Sequence, residues 1–176
     1  MYFAGIDPGL SGALGIVDAD GAFVLVADAP VSAIPIARSR RIQDGLGGTK
    51  TRQVQGIKRV FIPTAMLDAL PRDLRLIAIE EVGTRPGESP IAAYSFGFGR
   101  GLWVMAATVL RIPLIEPRPQ VWKKMFGLPA DKEAVRLLAL KRWPEAATML
   151  CRKRDEGRAE ALYLAEYARH HTTPGA

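Results

Sequence analysis

Residues 5–18 read GIDPGLSGALGIVD, and this stretch decides how the fold begins. Apolar residues run up to Asp7, a turn rich in Gly, Pro and Ser follows, and apolar residues then resume. This pattern predicts two strands, 2–7 and 13–18, that are joined by the turn. Asp7 is therefore a carboxylate at the end of a strand suited to a core. It could form the turn, belong to a phosphate loop or bind a metal, and each role implies a different protein.

The rest of the chain predicts further strands and helices. A third strand, AFVLVAD, follows an Asp-Gly turn signal at residues 20–21 and extends an antiparallel meander. The run LRLIAI, residues 74–79, is almost continuously apolar, which is typical of a buried parallel strand. Strands first, and then strands alternating with helices, predict an α/β fold with a mixed sheet covered by helices. The other predicted elements are a short helix within 61–70, a helix over 91–110, a strand at 112–116, and helices at Pro119–Phe126, Asp131–Trp143 and about 156–170.

The charge of the chain favours an acidic partner. There are 24 Lys and Arg residues against 18 Asp and Glu residues, which gives a net charge of +6. Nucleic acid is the first partner that such a balance suggests. The stretch 35–59, which contains RSRRIQDGLGGTKTRQVQGIKR, is especially basic and poor in apolar residues. We predict that 35–59 is a basic loop within the domain, either mobile or facing DNA.

Cysteine content and hydropathy bear on the compartment. Cys151 is the one cysteine of the sequence, which excludes an internal disulfide and fits a reducing cytoplasm. The start of the chain has no basic segment followed by an apolar one, so no signal peptide is expected. The longest apolar stretch, GLWVMAATVL, is too short to span a bilayer. We therefore expect a cytoplasmic protein with no membrane partner.

Three acidic residues stand where packing favours apolar side chains. Asp7 ends the first strand, Glu80 ends strand 74–79, and Glu160 lies on the apolar face of the last predicted helix. A buried carboxylate is costly unless a charge compensates it, and an ion pair with Arg is the plainest explanation for any one of them. Three that converge repel one another, and divalent cations relieve this repulsion. Oxygen ligands without His or Cys favour Mg²⁺ or Mn²⁺, which can activate water for phosphodiester hydrolysis.

A fourth acid comes from CRKRDEGRAEAL, residues 151–162. Asp155 precedes the predicted last helix, whereas Glu156 lies one turn ahead of Glu160 if the helix has already begun there. If Gly157 makes the first turn irregular, Asp155 can fold inward instead. The residues themselves leave both alternatives open.

Five stretches of the chain, in order and with suitable spacing, resemble the RuvC-like Holliday-junction resolvases of the RNase H-like superfamily, particularly the short phage and bacterial members. The resemblance covers nearly the whole chain, and the order of the five motifs makes it specific. It implies one RNase H-like nuclease domain over 1–176, with a mixed five-stranded sheet (three antiparallel strands, then parallel strands) flanked by helices. The stretches are GIDPGLSGALGIVD, IAIEEVGTRPG, FGFGRGLWVMAA, PQVWKKMFGLPADKEA and RKRDEGRAEALYLAEY.

The resemblance also implies which residues carry the chemistry. For the third acid we prefer Asp155 to Glu156, because RKRDEGRAEA looks like the family's run of two basic residues, an Asp and a further acid. Lys132, in PADKEA, matches a basic catalytic residue near the scissile phosphate, and one of Lys123 and Lys124 matches another. The acids that match the catalytic, Mg²⁺-binding set are Asp7, Glu80, Asp155 and Glu160, with Mn²⁺ as the alternative metal. The residues expected to bind DNA are Arg100, which lies in a Gly-x-x-Arg-Gly helix start formed by Gly97, Arg100 and Gly101, and Lys123, Lys124, Lys132, Arg152, Lys153 and Arg154.

The chain departs from the family pattern in two places. Better-known bacterial members carry an aromatic wedge just after the second-strand acid, and here that position is Gly83. Junction opening would then fall to another side chain such as Phe96 or Phe98, although core or dimer packing explains both more simply. The last motif also has extra residues between its acids.

The resemblance implies a metal-dependent endonuclease, bacterial or phage-encoded, that cuts four-way DNA junctions by paired symmetric nicks. A junction with near two-fold symmetry suits a C2 homodimer, because two active sites then meet opposite strands. The helix over 91–110, with Trp103 and Met105 among its apolar residues, is the expected interface.

Two other functions fit parts of the sequence. The first is an RNase H-like nuclease that acts on RNA or on other branched DNA. The second is an actin-like nucleotide-binding protein, since such proteins also open with an Asp-x-Gly turn between two strands. That class uses a longer chain and a second phosphate loop, and no second turn of this kind is visible here.

Overall fold

The computed structural model describes residues 1–43, 48–81, 83 and 87–172. Part of the Gly- and Pro-containing stretch from Gly83 to Pro90, for which the sequence predicts a loop, therefore lies outside the described residues, as does the centre of stretch 35–59. The strands are β1 Tyr2–Asp7, β2 Ala13–Asp18, β3 Phe23–Asp28, β4 Val31–Gln43, β5 Thr49–Phe61, β6 Leu74–Ile79 and β7 Leu114–Ile115. The helices are α1 Pro63–Asp68, α2 Pro90–Val109, α3 Pro119–Met125, α4 Lys132–Arg142 and α5 Glu156–His170, with short 3-10 turns at Pro144–Ala146 and Lys153–Asp155.

Five of the strands form one mixed sheet in the order β3-β2-β1-β6-β7. β1, β2 and β3 pair antiparallel, whereas β6 runs parallel to β1 and β7 runs parallel to β6. The predicted mixed sheet is thus confirmed. Its register matters for the site, because Ile6 faces Ile79 and the amide of Glu80 donates to the carbonyl of Ile6 over 3.0 Å. The carboxyl ends of β1 and β6 are therefore side by side.

Helix α5 crosses this sheet closely because two facing residues of β1 and β2 are glycines. Gly5 pairs with Gly15. A Cβ on Gly5 would collide with the backbone of Ala161 and Ala165, and one on Gly15 would lie 2.7 Å from the carbonyl carbon of Ala161. Because these two glycines have no side chains, the backbone of α5 lies directly against the backbone of β1 and β2.

Apolar side chains fill both sides of the sheet. On the α5 side, Phe3 and Val17 pack with Trp122 and Trp143 of the surrounding helices. On the other side, Trp103 of α2 is fully buried in a second cluster against the sheet. No helix in the described part of the chain is long and apolar enough to cross a membrane.

The prediction of a loop over 35–59 is wrong. β4 and β5 form a separate two-stranded antiparallel ribbon, paired residue by residue from Val31 opposite Phe61 to Gln43 opposite Thr49. A ribbon satisfies its backbone groups through its own ladder and needs little apolar content, so charge and glycine do not exclude it. Ile and Val recur along both strands, which suits extended backbone. Residues 44–47 lie outside the described residues.

Candidate metal centre

Two carboxylates stand together at the carboxyl ends of β1 and β6. Asp7 is the last residue of β1, and its side chain accepts a hydrogen bond of 3.3 Å from the amide of Gly9. Glu80 follows β6 directly. Burial raises the pKa of Asp7, and the nearby charge of Glu160 adds to this. Burial, and then the charges of Glu160 and Asp7, raise the pKa of Glu80 to about 7. Both acids therefore lie in a place that disfavours further negative charge.

Glu160 brings a third carboxylate to the same place from α5. It is buried, and its two oxygens accept hydrogen bonds from Lys123 Nζ (2.7 Å) and Lys132 Nζ (2.8 Å). Burial would raise the pKa of Glu160, but the hydrogen bonds and charges of the two lysines outweigh it and hold that pKa below its usual range. Glu160 therefore keeps its charge more readily than Asp7 or Glu80 does.

Lys132 lies among all three acids. Burial would lower its pKa, but the hydrogen bond to Glu160 and the charges of Glu160, Asp7 and Glu80 raise it overall. Lys132 begins α4, whose N-cap Asp131 accepts from the amide of Ala134, so the first turn of this helix is well fixed. Of the two alternatives Lys123 and Lys124, the structure brings Lys123 to Glu160 and leaves Lys124 exposed.

Asp7 and Glu80 open into a cavity of about 470 Å³. Its wall includes the β1–β2 turn on one side and the start of α5 on the other. Arg154 and Lys132 supply positive charge at its edge. The acidic residues that line it are Asp7, Glu80, Glu81, Glu88 and Glu156.

The preference for Asp155 over Glu156 is not supported by the geometry. Asp155 is buried in the turn before α5, where it accepts hydrogen bonds from the Arg152 amide (2.8 Å) and the Arg152 guanidinium (2.7 Å). The Arg152 side chain holds the pKa of Asp155 below its usual range. Glu156 is the first residue of α5 and lines the cavity. Because α5 has already begun there, helical geometry puts Glu156 one turn from Glu160.

The donors fit a hard divalent cation in their chemistry. They are carboxylate oxygens, the ligands that Mg²⁺ takes in proteins. Gly157 also leaves room, since a Cβ there would lie 3.1 Å from Asp7 Oδ2. In the arrangement described, however, no three acidic, His or Cys side chains of the described residues are close enough to hold an ion. Glu160 faces the two lysines instead, so the lysines supply the compensating charge.

The remaining predicted DNA-binding residues differ in their surroundings. Arg100 forms a two-pronged ion pair with Glu116 at 2.5 and 2.7 Å, so the structure gives it a partner within the protein. Arg152 is bound to Asp155 in the same way. Lys153 is exposed, and Arg154 is exposed at the cavity wall.

Three positions relate to junction opening. Gly83 lines the cavity, and a Cβ on it would meet no atom within 4 Å. Phe96 also lines the cavity and lies against Gly9, whose Cβ would be 3.2 Å from its ring. Phe98 lies on the exposed side of α2, where its ring stacks on Tyr94 with centroids 6.0 Å apart. Of the two phenylalanines, Phe96 is therefore the one that lines the cavity.

One contact at the site has no signal in the sequence. Arg59, at the base of the β4–β5 ribbon, donates hydrogen bonds to the Ser11 hydroxyl (3.0 Å) and the Leu10 carbonyl (2.6 Å). Leu10 and Ser11 belong to the cavity wall. The ribbon is thus tied to the turn that follows Asp7.

The sheet order and the helix across it form the mixed five-stranded α/β architecture that the sequence predicts, with Asp7 and Glu80 at adjacent strand ends. No family model matches the chain. An alignment over 154 residues, which covers 82% of this chain, gives 32% identity to the chloroplastic Holliday junction resolvase MOC1 of Chlamydomonas reinhardtii, and the chain spans 17% of that relative's length. This relative is a Holliday junction resolvase, the class of protein that the five sequence motifs resemble.

Solved structures of Thermus thermophilus RuvC are also similar to the chain. One is RuvC in complex with a Holliday junction substrate, with a TM-score of 0.49, 20% identity, and 94% of this chain and 90% of that chain covered. A second RuvC structure has a TM-score of 0.48, 23% identity, and coverage of 94% and 91%.

Proposed function

We propose that the protein is a metal-dependent endonuclease that hydrolyses phosphodiester bonds in branched DNA and resolves four-way junctions by paired symmetric nicks. The observation that carries this proposal is that Asp7 and Glu80 line one open cavity and that the charge of the buried Glu160, from a third element, acts on both. Grouping buried carboxylates destabilises a fold, so such a cluster is explained better by a function than by packing. The similarity to a junction resolvase supports the choice of substrate.

Asp7, Glu80, Glu156 and Glu160 are the residues that would hold divalent cations, Mg²⁺ first and Mn²⁺ as the alternative. Bound there, such cations lower the pKa of water and stabilise the leaving oxygen of a phosphodiester. Glu80 would give up its proton on metal binding, because its pKa of about 7 reflects burial and the charges of Glu160 and Asp7.

Lys132 has a second role in this proposal. Its side chain is 52% exposed although its ammonium reaches a carboxylate that is 4% exposed. It can therefore pass from Glu160 to a phosphate oxygen when DNA enters and the metals neutralise the acids. Lys124, Lys153 and Arg154 extend the positive surface around the cavity, and binding to them should weaken as salt rises.

We also propose a C2 homodimer that packs through α2. Apolar side chains at positions 91, 94, 98, 105 and 109 recur at helical spacing along the exposed side of this helix. Their exposure ranges from 38% for Met105 to 81% for Ile91. Trp103, expected at the interface, is fully buried against the sheet. It therefore packs α2 onto the sheet and does not belong to the proposed interface.

The proposed setting is DNA recombination and repair in the cytoplasm of a bacterium or of a cell infected by a phage. The exposed Cys151 is compatible with a reducing compartment.

Cleavage of synthetic substrates in Mg²⁺ tests the function. A four-way junction should be nicked at symmetric positions on two opposite strands, while linear duplex of the same sequence is left intact. D7N and E80Q should bind the junction in Ca²⁺ but not cut it in Mg²⁺. Equal cutting of linear duplex, or preferred cutting of an RNA–DNA hybrid, would favour a general RNase H-like nuclease instead.

A further inference from the structure

The turn between β1 and β2, residues 8–12, comes directly after the first carboxylate of the site. Its base is packed closely against α2, because a Cβ on Gly99 would collide with the carbonyl oxygen of Pro8. Its tip is less enclosed, since Leu10 is half-buried and Ser11 is exposed. Packing therefore fixes the base of the turn, whereas the tip depends on polar contacts.

The shape of this turn decides where the Asp7 carboxylate points. Asp7 accepts a hydrogen bond of 3.3 Å from the amide of Gly9, which is long, since about 2.9–3.0 Å is usual for such a bond. The amide of Gly12 donates to the carbonyl of Gly9 over 2.9 Å, and a Cβ on Gly12 would collide with the carbonyl oxygen of Asp7. The turn is thus one tight unit. A shift at its tip would be passed on through Gly9 to the carboxylate.

Arg59 holds the tip of the turn. Its guanidinium donates one hydrogen bond to the Ser11 hydroxyl (3.0 Å) and one to the Leu10 carbonyl (2.6 Å). Two bonds from one planar group fix both distance and direction, and bonds from a charged donor are stronger than neutral ones. The exposed side of the turn is therefore supported by a single side chain of β5.

The backbone of Arg59 is itself fixed in place. Arg59 lies two residues before Phe61, which is buried and packs against α2, where a Cβ on Gly99 would lie 2.5 Å from its ring. Just beyond β5, the amide of Ile62 donates to the carbonyl of Pro30 over 3.0 Å. These contacts attach the base of the ribbon to the domain without Arg59, so attachment of the ribbon does not explain its two bonds to the turn.

The charge of Arg59 does not explain the contact either. The charges that chiefly act on the pKa of Asp7 are those of Lys132, which lowers it, and Glu160, which raises it. Arg59 instead reaches the turn at a hydroxyl and a carbonyl, three and four residues from Asp7 along the chain. Its effect on the carboxylate is therefore mechanical.

We infer that Arg59 is a positioning residue of the metal centre, which holds the tip of the turn so that Asp7 keeps the orientation in which it binds a divalent cation. The inference rests on the proposed function, in which Asp7 is a ligand, and adds to it a residue that acts on this ligand from outside. Ligands need to lie within about 0.5 Å of their productive geometry. Loss of a group that orients a ligand weakens metal binding by about 10- to 100-fold.

Mg²⁺ binding in the absence of DNA provides the test. The affinity of the full chain is taken from the rise of its unfolding temperature with Mg²⁺ concentration. R59Q should bind Mg²⁺ about tenfold more weakly than the wild type, and S11A, which removes one of the two bonds, should lose less. R59Q/S11A should lose no more than R59Q, because both changes break the same contact. K58Q removes an exposed cation one position earlier, on the other face of the ribbon, and should keep the wild-type affinity.

Junction cleavage and junction binding give two further readouts. In R59Q the Mg²⁺ concentration for half of the maximal cleavage rate should rise about tenfold, while the rate at saturating Mg²⁺ stays within about threefold of the wild type. R59K can keep one bond to the turn and should lie between R59Q and the wild type. In EDTA, R59Q and K58Q should bind the junction equally well, because each lacks one positive charge.

The outcomes separate the inference from the proposed function. An unchanged Mg²⁺ affinity in R59Q, or an equal loss in K58Q, would overturn the inference while junction cleavage by the wild type still stood. Weaker junction binding by R59Q than by K58Q in EDTA, with unchanged Mg²⁺ affinity, would make Arg59 a DNA contact and overturn it too. The absence of any Mg²⁺-dependent rise in the wild type would also overturn it, and the cleavage assay would then decide the proposed function alone. If R59Q binds Mg²⁺ more weakly as expected but the wild type cuts no junction, the positioning role stands and the proposed function fails.

Discussion

Lys132 Nζ lies 2.8 Å from Glu160 Oε2, so a lysine at the start of α4 neutralises an acid that α5 buries beside the sheet. Lys123 holds the other oxygen of Glu160 at 2.7 Å. In the free protein these two ammonium groups balance the negative charge of Glu160. Without them, that charge would lie uncompensated beside Asp7 and Glu80. A metal ion bound to Glu160, as proposed above, would therefore compete with the two lysines for one carboxylate.

Replacing Lys132 by Met exposes this competition. Without metal, K132M leaves a buried carboxylate short of one charged hydrogen bond, so we expect a loss of about 1.5–3 kcal/mol in the free energy of unfolding. Mg²⁺ should restore more stability to K132M than it adds to the wild type, as measured by thermal unfolding with and without Mg²⁺. K124M, which changes an exposed lysine, is the control. An equal gain from Mg²⁺ in all three proteins would contradict the competition.

The choice between Asp155 and Glu156 can be made with one pair of variants. E156Q should lower the rate of Mg²⁺-dependent cleavage by about 100-fold or more and leave the unfolding temperature nearly unchanged. D155N should lower the stability by about 1–3 kcal/mol, because the buried Asp155 loses its charged bonds to Arg152, while the folded variant still cuts. Cleavage rates below the unfolding temperature of each variant are the measurement. The reverse pattern would restore Asp155 as the ligand.

Much of the site could be predicted because its signals are local. An apolar run that ends in an acid and a glycine turn indicates Asp7, and a carboxylate on an apolar helix face indicates Glu160. The surroundings of Asp155 were not predicted, and this has a local cause too. Arg152, three residues earlier, captures the Asp155 side chain, and a charge run does not reveal which of its members pair with each other.

The ribbon could not be predicted from the same signals. Its strands draw stability from backbone pairing. Charged residues occupy many of the alternate positions at which apolar residues would otherwise indicate a strand. The contact of Arg59 with Leu10 and Ser11 spans almost fifty positions, and nothing near either end indicates the other. Such features depend on how elements meet in space rather than on local sequence.

The raised pKa of Glu80 gives the metal-free protein a characteristic pH dependence. Between its ordinary value of 4.5 and the folded value of about 7, the folded state holds the proton more tightly than the unfolded chain does. The free energy of unfolding should therefore fall as pH rises through this window, by up to about 3 kcal/mol, and level off above it.

Urea unfolding in EDTA between pH 5 and 8 measures this slope. E80Q should flatten it in large part, while the raised pKa of Asp7 leaves a remainder of the same sign. Since metal binding displaces the proton of Glu80, the apparent Mg²⁺ affinity of the wild type should rise with pH up to about 7. A slope that is the same in E80Q and in the wild type would show that Glu80 ionises normally.

The exposed stripe on α2 predicts a variant that separates folding from assembly. Met105 lies in the stripe and is 38% exposed, so M105D should leave the monomer folded but introduce a buried charge into the dimer. Sedimentation at micromolar concentration should give a dimer for the wild type and a monomer for M105D. L137D, which places the same charge on an exposed apolar position of α4, should remain dimeric.

On a plasmid with an extruded cruciform, M105D should yield nicked circles where the wild type yields linear product, because paired nicks need two sites held together. Linear product from a monomeric M105D would mean that the two nicks do not depend on this interface.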